Sequence, residues 1–130
     1  MTLLLALACA SDPNAPPVVH YDLDACADCG MLVSDPAYAS AIVTKDGKTL
    51  AFDDPGCLFH YMVTKLPDVR GMWFHDGAAD HWLRESEVGF VPGSTSPMGS
   101  GLKPAPVATP GALSVGEASS QVLSGKPVSK

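Results

Sequence analysis

Two apolar runs, Ala37-Tyr38-Ala39-Ser40-Ala41-Ile42-Val43 and Thr49-Leu50-Ala51-Phe52, flank Lys45-Asp46-Gly47-Lys48. A tight hairpin turn needs a backbone with positive φ, which Gly adopts without a Cβ penalty, so Asp-Gly between apolar runs predicts two antiparallel strands. Asp54 then offers a side-chain oxygen to cap a helix whose first position is Pro55. Leu58, Phe59, Met62, Val63 and Leu66 follow at helical spacing on one face, and Pro67 stops the helix. Gly71-Met72-Trp73-Phe74-His75 reads as a third strand, giving the order strand, strand, helix, strand.

The second half repeats that order more faintly. Trp82 to Val91 reads as one strand, Leu102 to Val107 as another, and Ala112 to Leu123 as a short helix ended by Gly125, with Pro127-Val128 as a last strand. Pro and Gly are dense between Pro92 and Gly111, so much of that stretch must turn. The expected fold is α+β: two small ββαβ-type units sharing a core, at residues 20–80 and 81–130, the second compressed. A chain of 130 residues, 46% of them hydrophobic, suits one small domain or two subdomains.

The formal charge of −6 and the absence of any Lys/Arg run argue against a phosphate-binding surface, so nucleic acid is not an expected partner. At the amino terminus, Leu3-Leu4-Leu5-Ala6-Leu7-Ala8 precedes Cys9 and resembles the lipobox of a bacterial lipoprotein, although the run is short and has no basic residue. On that reading residues 1–8 are the signal, Cys9 is lipidated, and residues 9–19 tether the chain to the membrane outside the cytoplasm, in a periplasm-like compartment that permits disulfides. The alternative is an apolar start with a buried free cysteine.

Sulfur carries the chemistry. Cys26-Ala27-Asp28-Cys29-Gly30-Met31 and Pro97-Met98-Gly99 bring thiol and thioether donors beside turn-forming residues, and soft sulfur ligands favour Cu(I). Cys26 and Cys29 alone also fit a disulfide, a redox pair or half of a zinc knuckle, but no second Cys-x-x-Cys completes a zinc site and no thioredoxin-like βαβ pattern surrounds them. Met62 and Met72 lie in a helix stripe and a strand and read as core. Cys57 near the helix start and His60 one turn later form a secondary soft pair, for which a packed small residue and an exposed histidine are the simpler explanation. His20, His75 and His81 read as structural or exposed, and capping with dipole complementarity accounts for Asp53-Asp54. No nucleophile stands with a base and no Gly-rich loop cradles a phosphate, so a binding protein is expected rather than an enzyme.

Several ordered segments resemble one family. They are the lipobox-like Cys9, Cys29-Gly30-Met31, Phe52-Asp53-Asp54-Pro55-Gly56, Trp73-Phe74-His75-Asp76, Trp82-Leu83, Val88-Gly89-Phe90-Val91-Pro92-Gly93-Ser94 and Ser96-Pro97-Met98-Gly99-Ser100-Gly101-Leu102. Together they resemble NosL, the copper-binding lipoproteins that are accessory proteins of nitrous oxide reductase. The resemblance implies two ββαβ units and Cu(I) ligation by Cys29, Met31 and Met98; it does not require Cys26, which is an extra ligand or a lock. It implies a copper chaperone whose partners are nitrous oxide reductase or another apo copper protein, together with membrane-bound copper-assembly proteins. The competing readings are a thiol–disulfide redox protein using Cys26 and Cys29, and a structural lipoprotein with a static disulfide.

Overall fold

The computed structural model describes Asp12 and residues 14–125, so Cys9 and the expected strand at Pro127-Val128 lie outside the described residues. Six strands and two helices run in the order β1 (Ser40–Thr44), β2 (Thr49–Phe52), α1 (Pro55–Lys65), β3 (Val69–His75), β4 (Trp82–Arg84), β5 (Val88–Pro92), β6 (Leu102–Pro106) and α2 (Val115–Leu123). The fold is α+β, with an antiparallel sheet in the order β2-β1-β3-β4 and a separate β5-β6 ribbon.

The first unit follows the sequence pattern closely. Gly47 takes φ 90° in the β1–β2 turn, where a Cβ would strain the backbone. Ser40 faces Phe52 on one side and Phe74 on the other, so β1 is the centre of the unit. Asp54 caps α1 by accepting from the Gly56 amide at 2.8 Å. The apolar face of α1 is narrower than its spacing suggested: Leu58 and Phe59 are buried and Met62 packs at the edge of the core, but Val63 and Leu66 are exposed. Leu66 has already left the helix, with φ 48° in the left-handed region one residue before Pro67.

The second half departs in two places. The expected strand from Trp82 to Val91 is two strands, because Glu87 folds back on Arg84, its amide donating to the Arg84 carbonyl at 2.9 Å and its carboxylate accepting from the Arg84 amide at 3.3 Å. β4 therefore completes the first sheet beside β3, whereas β5 leaves to pair with β6. The expected helix start at Ala112 is also too early. Leu113 instead exchanges both backbone hydrogen bonds with Phe90, and a capping box between Ser114 and Glu117 starts α2 at Val115.

α1 and α2 pack on each other, and a cluster of aromatic rings joins the two units. Phe90 of β5 stands edge-on to Phe74 of β3 at 5.0 Å and to Phe59 of α1 at 5.6 Å between centroids. Phe52, Leu58, Val88, Leu102 and Ala118 close the same core. The β2–α1 junction is thereby held rigid, and the candidate site is built on it.

Candidate metal centre

Residues 20–33 form a loop closed on itself. The Asp22 amide donates to the Val33 carbonyl and the Val33 amide to the Asp24 carbonyl, each at 2.9 Å. Inside that closure the Cys26 amide donates to the Met31 carbonyl at 2.7 Å and the Gly30 amide to the Cys26 carbonyl at 3.0 Å, a turn that Gly30 permits with φ 80°. The Ala27 amide donates to the Ala51 carbonyl at 2.9 Å and fastens the loop to the end of β2. Cys26 and Cys29 are thus carried to the point where the chain leaves β2 for α1.

That junction supplies the other donors. Asp53 lies between β2 and α1, and Cys57 is in the first turn of the helix. One ligand atom from each of Cys26, Cys29, Asp53 and Cys57 lies within 4.8 Å of all the others. Cys26 and Cys57 are buried, Cys29 is half-buried, and all three thiols are free. The Cys29 thiol donates to the Asp53 carboxylate, 3.5 Å from each oxygen. Three sulfurs and one carboxylate on a rigid junction form a metal-sized cage, and it is the one such group among the described residues.

The thiols divide the protons unevenly. A hydrogen bond from the Cys57 thiol holds Cys26 down to about 6 from an ordinary 9.0; backbone amides of Cys29, Asp53 and Asp28 assist it, and burial opposes it. Burial pushes Cys29 up to about 11, with the negative charge of Cys26 and Asp53 acting in the same direction. Cys57 is pushed upward because its proton is held by Cys26, and burial adds to this. Near neutral pH the cage therefore presents one thiolate and two thiols that must surrender protons when a metal binds.

The remaining residues singled out from sequence fall around this cage. Met31 follows directly on the Cys26–Gly30 turn and is 58% exposed. Met98 is 46% exposed, and its amide donates to Asp54 Oδ2 at 2.9 Å, which ties the Pro97-Met98-Gly99 loop to the start of α1. Both thioethers therefore stand at the surface on loops anchored beside the cage. His60 pairs with Asp28, Nδ1 to Oδ1 at 2.7 Å, so the structure groups Cys57 with the other cysteines rather than with His60. His75 is buried, its Nδ1 donating to the Asp76 carbonyl at 3.0 Å and its ring edge-on to Trp82, a core arrangement. His20 and His81 pair with Asp24 and Asp76.

Asp53 is the residue that the sequence pattern did not separate from its neighbour. Capping accounts for Asp54 alone, whose two oxygens serve Gly56 and Met98. Asp53 turns the other way, into the cysteines. In the sequence, capping and dipole complementarity account for both acids; the doublet exceeds the single N-cap position but does not say which acid is left over.

No protein-family model and no curated protein sequence matches the chain. Among solved structures, the crystal structure of the copper chaperone NosL from Shewanella denitrificans matches over 85% of this chain and 89% of that one, with a TM-score of 0.55 and 22% identity. The chain shares the NosL fold.

Proposed function

We propose that this protein is an extracytoplasmic copper chaperone, a lipoprotein anchored through Cys9 that holds Cu(I) and passes it to an apo copper enzyme, nitrous oxide reductase. The observation that carries the reading is the convergence of Cys26, Cys29, Cys57 and Asp53 on one point within a NosL-like fold. Thiolates bring charge and tight binding to Cu(I). The neutral thioethers of Met31 and Met98, exposed beside the cage, need no deprotonation and provide donors through which the ion leaves one ligand at a time. Cys29, the thiol with most exposure, is the sulfur through which an acceptor reaches the metal. Tethering by Cys9 raises the local concentration beside membrane-bound assembly proteins.

A thiol–disulfide role for Cys26 and Cys29 has one observation in its favour, the depressed titration of Cys26. Cys26 is buried, however, and an attacking thiol needs access to the disulfide it cleaves. Cu(I) carriage uses all three cysteines and exchange uses two.

In cells lacking the protein under copper limitation, nitrous oxide reductase polypeptide accumulates normally and its copper content falls. A wild-type copy restores the copper, a Cys29→Ser copy does not, and a Cys9→Ser copy appears in the soluble extracytoplasmic fraction. Metal analysis of the purified reductase checks this; unchanged copper after deletion removes the client assignment.

A further inference from the structure

A second concavity lies at the other end of the first sheet from the cage. Val43 pairs there with Thr49 and Gly71, whereas Ser40 pairs with Phe52, the residue before Asp53. The cavity measures about 610 Å³, a usual size for a small-molecule site, and Trp73 of β3, Val43 of β1, Val88 of β5 and Val115 of α2 give it apolar walls. Two cations border it. Val43 faces Gly71 and Thr44 faces Val69, so Arg70 is the extra residue of a bulge in β3, a device that re-aims a side chain. Its guanidinium donates to the Lys45 carbonyl at 3.2 Å. Arg84, opposite Trp73 on β4, lies over the indole at 5.1 Å from its centroid and donates to the Asn14 carbonyl at 3.1 Å.

Among the described residues neither guanidinium is paired with a carboxylate, although the chain has 14 acidic side chains. Trp73 is 8% exposed, and among the same residues nothing accepts from its indole N–H. A Cβ added at Gly71 would stand 3.4 Å from that nitrogen, so the glycine keeps the space in front of it clear. Glu85 is the acid on the described lining, which leaves one positive charge in excess over Arg70 and Arg84. The start of α2 is already served by the Ser114–Glu117 capping box, so the arginines carry that charge.

We propose that this cavity binds a small organic acid with one carboxylate on an apolar body. Arg70, the remaining N–H groups of Arg84 and the Trp73 indole donate to the carboxylate, and the body lies against the valines. One excess positive charge matches a carboxylate monoanion and falls short of a phosphate dianion. Guanidinium–carboxylate bonds are charge-assisted and directional, which fixes the head of the ligand. The site is independent of the copper reading.

The isotope-labelled, reduced protein is titrated with N-acetylphenylalanine, with its neutral amide and with inorganic phosphate. The readout is the Trp73 indole N–H resonance, identified by its absence from Trp73→Phe. The acid is expected to shift it saturably, with affinity at least about tenfold above the amide and the phosphate, as a charge-assisted head contact requires. Arg70→Gln and Gly71→Val are each expected to weaken the acid at least about tenfold, the first by removing a head donor and the second by filling the space before the indole with a residue that strands favour. Preserved dispersion of the remaining resonances reports that these variants are folded. No saturable shift with millimolar acid, equal affinity for acid and amide, tighter binding of phosphate, or wild-type affinity in Arg70→Gln overturns the proposal. Should a variant fail to fold, the wild-type comparison of acid, amide and phosphate decides alone.

Discussion

Cys57→Ser lowers Cu(I) affinity by at least about 100-fold, because a buried thiol that gives up its proton to the metal is replaced by a hydroxyl that is a poor ligand for a soft ion. Cys29→Ser has an effect of similar size, since it makes the same exchange of a sulfur donor for a hydroxyl. Met31→Ala and Met98→Ala each cost less than about tenfold, their thioethers being neutral and exposed. Competition of the reduced variants against a Cu(I) chelator checks the order. If Cys57→Ser keeps wild-type affinity while the methionine variants lose it, the copper lies on the rim with Cys29, Met31 and Met98, and the cage is a structural cluster.

Phe90→Ala carries the largest expected cost to stability, about 3–5 kcal/mol. Phe90 is fully buried and is edge-on to rings of α1 and β3 as well as belonging to β5, so its removal opens a cavity where the two units meet. In a domain with about 5–15 kcal/mol in total, that is a large share. Urea denaturation of the reduced, metal-free protein should show one transition with a lower midpoint and an unchanged slope. Two separated transitions in the variant would show that the ribbon and α2 unfold independently of the first sheet.

Local chemistry made the first unit readable. Asp46-Gly47 specified a turn, Asp54-Pro55 a helix start, and the residues between them alternate or recur with the period of the element they form. The division of Trp82 to Val91 was not readable, because the apolar pattern continues on both sides and the break depends on a backbone fold-back between Arg84 and Glu87. Leu113 was assigned to a helix for a similar reason: its pairing with Phe90 is long-range, and a local pattern contains no trace of it.

The site divides along the same line. Cys26 and Cys29 announce themselves by spacing. Cys57 joins them only because the Ala27 amide pins the loop to Ala51 at the end of β2, which places a helix start next to a distant turn. Asp53 is concealed by its neighbour, since two adjacent acids before a helix look like one capping device. Separating them requires knowing that Asp54 has already used both of its oxygens.

Cu(I) is expected to sit among Cys26, Cys29 and Cys57. X-ray absorption at the copper edge, on reduced protein carrying one Cu(I) per chain, tests it most directly when wild type is compared with a Met31→Ala, Met98→Ala double variant. Three sulfur neighbours with no nitrogen, unchanged by loss of both methionines, is the predicted result; a shell that loses sulfur in the double variant, or that contains imidazole nitrogen, contradicts it.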